Sequence, residues 1–479
     1  MYVGVDVGTS SVKAALIDDQ SRSIAVSRVN VAVDRPHHLW AEQDMESVWR
    51  AVAATVREVS AGRDDIRLLA VTGQGDGAWL VDDRMQPSGP AILWNDGRAE
   101  AIVRSWWNDG VVARGFEIGG SITFPGLANA ILAWLMEHDR ERFDRSHRLL
   151  TCCGWVHARL TGELLADVSD ASAPFFDPVA GGYSADLLDL YGLEEAERLL
   201  PPVVAGHVAA LTATDVGLAP GVPVVLAPYD VATSAFGSGA VAPGDAAAVL
   251  GTTFLAGALT GLPRSGGEPT GSTIGLGVDN LHFRFLPALN GMEALGWVAR
   301  LIGLSGVPEL ASLAATAEPG AHGVGMLPYF SPAGERAPFV DPGVRGGFWN
   351  LSLEHSSADV ARAAIEGATM MLRDCLEAAG PRPKRLHVSG GGANSAEWCG
   401  LIADITGVET VRTGEPEVAA VGAVLAGRVA IGECRDLAAA ARATAGNAES
   451  FAPHPEVFDL YTARFTELVE RRDRDRGAR

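Results

Sequence analysis

Residues 4–18 read GVDVGTSSVKAALID. Apolar residues alternate on both sides of a Gly8-Thr9-Ser10 turn, the pattern of two β-strands joined as a hairpin, and the segment running on to Val29 reads as a third strand. Asp6 stands at the end of the first strand. A tight glycine turn exposes backbone N–H groups to an anion. Thr9 and Ser10 add hydroxyl donors there, and Lys13 adds a positive charge. Asp6 cannot face phosphate directly, but it can hold a hydrated Mg²⁺ that bridges phosphates. A hairpin turn with incidental polar residues fits the same letters.

The outline recurs at 246–260, AAAVLGTTFLAGALT, where Gly251, Thr252 and Thr253 form a second candidate phosphate cradle. One weak internal repeat points to two related halves, placed at 1–243 and 244–479. No charge occurs from Ala246 to Pro263, a length just sufficient for a membrane-spanning helix. Its glycines, threonines and closing proline favour strand, turn, strand instead.

Around these hairpins the chain alternates helix and strand patterns, which makes the class α/β. Asp44 is placed to cap a helix from Met45, with Val48, Trp49, Val52, Val56 and Val59 on one face. Helical patterns follow near 98–109 and 125–137. Ser356 or Ser357 can cap a long helix to about Ala379, which Gly380-Pro381 stops. The tail after FAPHPE (451–456) reads as an amphipathic helix with a charged end.

The 479 residues, 47% hydrophobic and 20% charged, suit two or three globular domains. A net charge of −21 argues against nucleic acid or an anionic membrane as the main partner, since both need a basic face. Five cysteines without a CxxC pair read as buried free thiols in a reducing cytoplasm, with no zinc site. The opening MYVGVDV enters a strand at once, leaving no room for a signal peptide.

Four further stretches carry chemistry. In VSGGGANSAEW (388–398), Gly390, Gly391 and Gly392 precede a helix opened by Asn394 or Ser395, where backbone and helix dipole both favour an anion. Asp230 follows the apolar run VPVVLAP; it suits a general base, rigidly placed and partly desolvated, and equally a helix N-cap. Trp94, Asn95 and Arg98, with Asp96, offer a flat apolar face and fixed polar groups for a polyhydroxylated ligand, or a surface turn capped by Asp96. In VTGQGDGAWL (71–80), Asp76 sits among Gly73, Gly75 and Gly77, where a carboxylate would repel phosphate. The glycines read as letting backbone approach an uncharged polyol, with Gln74 and Asp76 reading its hydroxyls.

In this order and spacing the motifs resemble the FGGY family of carbohydrate kinases along essentially the whole chain. The matching pieces are GVDVGTSSVKAALID, ILWNDGRA (92–99), LTGELLADVSDAS (160–172), PYDVATSAFGSG (228–239), GTTF (251–254), residues 334–367 and SGGGANSAEWCGLIADITG (389–407). The resemblance implies two ribonuclease-H-like domains, as in hexokinase and actin, with a cleft between them. It implies ATP-dependent phosphorylation of a sugar or polyol hydroxyl with Mg²⁺. It places Asp230 as general base and Asp6 as the Mg²⁺-linked carboxylate. Thr9, Ser10 and Lys13 match the first phosphate turn, and Gly251, Thr252 and Thr253 the second. Gly391, Gly392 and Asn394 match the nucleotide loop, and Trp94, Asn95 and Arg98 the sugar pocket. Xylulose kinases of the family carry Gln-Met-His-Gly where this chain has Gln74-Gly75-Asp76-Gly77; the GQGDG form is more similar to the L-xylulose and erythritol kinase branch. A short polyol or ketopentose is the expected acceptor. Glycerol or ribulose phosphorylation, a sugar-independent ATPase and a silent sugar sensor are the competing readings. A homodimer is compatible with the sequence and not specified by it.

Overall fold

The computed structural model describes residues 1–263, 266–442 and 448–477. The chain forms two compact units. Unit one comprises Met1–Ala242, Gly261–Phe283 and Glu415–Asn447; unit two comprises Pro243–Thr260, Arg284–Gly414 and Ala448–Arg479. The sequence reading places one boundary at 243/244, whereas the chain returns to unit one twice after Ala242.

Unit one is built on the opening hairpin. β1 (Tyr2–Val7) pairs antiparallel with β2 (Ser11–Ile17), which pairs with β3 (Ser23–Asn30). β4 (Leu69–Gly73) lies parallel to β1, with Val7 opposite Gly73. β5 (Val208–Ala210) and β6 (Pro223–Leu226) complete a six-stranded sheet in the order β5-β6-β4-β1-β2-β3, with β6 parallel to β4. Strand side chains alternate between faces. Val3, Val5 and Val7 enter the core beneath the Met45–Val59 and Cys152–Thr161 helices. Tyr2 points the other way, its hydroxyl donating to Glu433 at 2.6 Å. Asp6 shares that second face, in register with Lys13 of β2.

The expected helix at 45–59 forms with Asp44 as its N-cap, the carboxylate accepting from the Glu46 N–H at 3.1 Å. Burial of its apolar stripe supplies the main stabilisation, about 1.5–3 kcal/mol per large side chain, and the cap adds about 1 kcal/mol.

Unit two repeats the scheme. β7 (Asp245–Leu250) and β8 (Phe254–Thr260) form the second hairpin across Gly251-Thr252-Thr253. β9 (Arg385–Ser389) lies parallel to β7, β10 (Glu409–Thr413) parallel to β9, and β11 (Ala448–Phe451) antiparallel to β10. The uncharged run 246–260 is therefore a hairpin, and among the described residues no helix is long and apolar enough to cross a membrane. The long helix Ser357–Ala379 opens on Ser356 in a reciprocal capping box with Asp359 and ends before Gly380. Ser395, not Asn394, caps Ala396–Thr406, accepting from the Trp398 N–H at 3.1 Å. The C-terminal helix is Pro455–Gly477. All five cysteines are unpaired; Cys434 is partly exposed and the other four are buried.

Candidate active site

In unit one three parallel strands end side by side, and each delivers one candidate group. β1 runs into Asp6 and the Gly8-Thr9 turn, β4 into Gln74 and Asp76, and β6 through Ala227-Pro228-Tyr229 into Asp230. The carboxyl end of a parallel sheet is where α/β proteins bind ligands, because the loops there converge without crossing.

Asp230 is the first residue of the helix Asp230–Ser238. Tyr229 occupies the N-cap position, and no side chain caps this helix. The N-cap position open to Asp230 in the sequence is therefore taken by Tyr229, and Asp230 is the first helical residue, its carboxylate opposed in its pKa rise by the Val231 N–H. Burial raises its pKa well above the ordinary value, and the charges of Asp6 and Asp76 push it the same way. A carboxylate so held is a stronger base once ionised. Burial likewise pushes Asp6 up to about 6, opposed by Lys13 and reinforced by Glu417.

The first turn is fixed from within. Trp94 Nε1 donates to Thr9 Oγ1 at 3.0 Å, Thr9 donates to Gln74 Oε1 at 2.9 Å, Gln74 Nε2 donates to Gln43 Oε1 at 3.1 Å, and Gln43 Nε2 returns to the Thr9 carbonyl at 2.9 Å. This ring involves two of the expected site residues. The Thr9 hydroxyl donates its proton to Gln74, while Ser10 beside it is exposed. Gln74 is buried and holds the turn, whereas Asp76 is partly exposed. Lys13 is also committed, its Nζ lying 3.0 Å from Glu417 Oε2.

The glycines of 73–77 have packing reasons. A Cβ on Gly75 would meet the Tyr229 ring at 2.5 Å, and one on Gly73 or Gly77 would strike the Val7 or Ile92 carbonyl at 2.6 Å. They make room for protein, where the sequence suggested room for a polyol. Asp76 itself adopts a left-handed backbone, φ 57°, a conformation that costs a non-glycine residue of order 1 kcal/mol and recurs at functional sites.

Arg98 is tied into the fold. Its side chain is 1% exposed, pairs with Asp96 at 2.9 Å and Glu42 at 2.7 Å, and stacks over Trp40 with its guanidinium 3.9 Å from the ring centre. Asp96 spends its oxygens on Arg98 and the Ala41 N–H instead of capping the next helix. Trp94 is partly exposed and Asn95 fully so, leaving both accessible.

In unit two, β7 and β9 end together, with Val249 opposite Ser389, so the turns at 251–253 and 390–394 are neighbours. Gly390, at φ 87°, lies where a Cβ would meet the Leu250 carbonyl at 2.9 Å. Arg412 ties the second turn down, donating to the carbonyls of Ala393 and Asn394 at 3.1 and 3.0 Å. The first turn is braced by the start of the Met292–Leu301 helix, whose Met292 and Glu293 N–H groups donate to Gly251 and Thr252 carbonyls. Thr252, Thr253, Gly391 and Asn394 are exposed, whereas Gly392 is buried. A cavity of about 330 Å³ opens beside the same helix, with Trp297 stacked 4.8 Å from Phe330.

Gln43, Glu417, Tyr229 and Arg412 escaped the sequence reading. Each acts on a partner far away in the chain, Glu417 on a lysine 404 residues distant, and no local spacing announces such a contact. Asp170 lay inside a quoted motif, but nothing in the letters showed it would be buried.

Comparison with known proteins agrees with this geometry. The model of the N-terminal domain of the FGGY family of carbohydrate kinases matches residues 1–237, and that of its C-terminal domain matches residues 275–431. The chain is 32% identical over 440 residues to the xylulose kinase of Escherichia coli (strain K12), covering 90% of each chain. It is 29% identical over 458 residues to the erythritol kinase of Brucella abortus (strain 2308), covering 90% of this chain and 88% of that one. The crystal structure of ligand-bound xylulose kinase from Lactobacillus acidophilus superposes with a TM-score of 0.92 at 23% identity, covering 98% and 97% of the two chains, a likeness of fold. Two family domains in sequence and a 32% identical relative that covers 90% of each chain have one common explanation: the chain belongs to the FGGY family of carbohydrate kinases and is an ATP-dependent sugar kinase.

Proposed function

We propose that this kinase transfers the terminal phosphoryl group of ATP to a hydroxyl of a short uncharged sugar or polyol, a ketopentose such as xylulose or L-xylulose, or erythritol, with Asp230 as general base. The observation that carries the reading is the carboxylate of Asp230, desolvated between the fields of Asp6 and Asp76 at the ends of three parallel strands. The names of the relatives support the acceptor class.

Phosphoryl transfer asks for alignment and charge neutralisation more than for covalent help. Asp230 accepts the proton of the attacking hydroxyl as its oxygen bonds to the γ-phosphorus and the bond to the β-phosphate oxygen breaks, releasing ADP. Asp76 and the exposed Asn95 orient the acceptor. The Gly8–Ser10 turn faces the transferred phosphate, while the turns at 251–253 and 390–394 hold the nucleotide. We thus assign the acceptor side to residues 1–243 and the nucleotide side to 244–479, and place the enzyme in the cytoplasm.

Mg²⁺ belongs to the same reading, with Asp6 as its protein-side carboxylate. The donor set fits: Asp6 offers a single carboxylate, and Mg²⁺ typically takes one or two carboxylates and fills its shell with water and phosphate. When bound it supplies charge neutralisation at the phosphates.

A coupled ADP-release assay over C3 to C6 polyols and ketoses tests the proposal. ADP release should depend on acceptor and be fastest for a four- or five-carbon one. ATP hydrolysis indifferent to every sugar would overturn it.

A further inference from the structure

A small cavity of about 40 Å³ in unit one is lined in part by Asp76. Its lining includes Asp76, Gly77, Thr151, Asp170, Phe175 and Tyr183. That volume admits roughly three water-sized spheres, the size of a terminal hydroxymethyl group. Asp170, on the short helix Val168–Ala171, is 7% exposed, and neither oxygen of its carboxyl has a partner at hydrogen-bonding geometry. Its neighbour Asp167 behaves differently, accepting from the Ser169 N–H at 2.8 Å and hydroxyl at 2.5 Å. Ser169 Oγ in turn accepts from the Tyr229 N–H at 3.1 Å, which fastens this segment to the residue preceding the base.

A buried polar group without a partner is costly, about 1–3 kcal/mol when neutral and more when charged. Such a group in a cavity wall is placed to meet a ligand. Burial, then the charge of Asp167, then those of Asp76 and Asp230, hold the Asp170 carboxyl well above the usual range, with the Thr151 hydroxyl opposing. In its neutral form it has one donor and spare acceptors. No lysine, arginine or histidine lines the cavity among the described residues.

Building on the kinase reading above, we propose that this cavity receives the far hydroxymethyl end of a linear polyol or ketose, that Asp170 donates a hydrogen bond to it, and that acceptors ending in a carboxylate are rejected. Asp170 is then a specificity-determining residue. The rejection follows from the walls: an anionic terminus would enter a space facing Asp76, with no cation to pair it.

Acceptor KM and kcat of the full chain test this, measured by coupled ADP release with xylulose, L-xylulose and erythritol against gluconate and 3-keto-L-gulonate. The acids should show kcat/KM at least 100-fold below the best uncharged acceptor. Asp170→Ala should raise the KM of that acceptor at least tenfold and leave KM for ATP within twofold, and Asp170→Asn, which restores a donor, should recover much of the loss. Ala128→Met, filling the cavity from another wall, should penalise five-carbon acceptors more than glycerol, and it reports independently should Asp170→Ala not fold. Equal use of the acids, an acceptor KM unmoved in Asp170→Ala, or a uniform effect of Ala128→Met would overturn the proposal. If the wild-type chain turns over no sugar at all, the kinase reading falls as well, whereas normal turnover with an unmoved KM overturns only the role of Asp170.

Discussion

The two hairpins of this chain share a plan and differ in charge. Each is strand, Gly-Thr turn, strand, and each has a parallel neighbour, β4 for β1 and β9 for β7. Where β1 carries Asp6 two residues before its glycine, β7 carries Val249. Unit one surrounds its turn with Asp6, Asp76 and Asp230; the unit-two turns present glycines, hydroxyls and Asn394. The proposed function gives this one backbone device two tasks. Carboxylates suit a site that holds a cation and removes a proton, whereas an uncharged turn of exposed backbone suits a nucleotide.

That division is most severely tested at Asp230. Asp230→Ala should lower kcat by roughly 10²–10⁴-fold and leave ATP affinity within threefold, measured by calorimetry. A parallel loss of ATP binding would break the division of labour.

Asp6→Asn comes next, with kcat down on the order of 10²-fold and a stability change of opposite sense. Burial pushes the Asp6 carboxyl up to about 6 from its ordinary 3.8. The folded state therefore binds the extra proton: the contribution of Asp6 is intact below 3.8 and lost as pH rises through 6. At pH 8 the variant, relieved of a buried charge, should melt higher than the wild type, and the two should converge toward pH 4. A variant less stable at pH 8 would show that the carboxylate is already compensated by the fold.

On the unit-two side, Gly390→Ala forces a left-handed residue and a close approach to Leu250, at a cost of about 1–3 kcal/mol, read as a lower Tm and a raised KM for ATP with acceptor KM unmoved. A change confined to acceptor KM would place this turn on the wrong substrate.

Gly75→Met should be destabilising through Tyr229, and Tyr229→Ala in the same chain should give part of the loss back, a coupling of about 0.5–3 kcal/mol in a double-mutant cycle. Strict additivity would mean the ring is not what keeps residue 75 small. The smallest effect is expected for Asp76→His: a roughly tenfold shift in preference among acceptors, with KM for ATP within twofold. Movement of the nucleotide constant alone would remove Asp76 from the acceptor side.

Much of this was legible in the letters because it is local. The period-two alternation around Gly8-Thr9 and Gly251-Thr252, the Asp44 cap and the Ser356 capping box each depend on neighbours within a few residues. Asp230 could be placed at a strand end from the apolar run before it. Its place relative to the cap could not, because only the folded helix shows that Tyr229 takes the cap position and Asp230 the first turn.

The sequence by itself determined the α/β class, the paired hairpins, the kinase family and the identities of Asp6, Asp76 and Asp230 as groups that chemistry could use. Tertiary structure decided what each one is free to do. Lys13 is held by Glu417, the Thr9 proton by Gln74, Arg98 by Asp96 and Glu42, and Gly75 is small because Tyr229 is large. The physical reason is that a residue type states which bonds a side chain can make, while only the packed chain shows which of them are already taken.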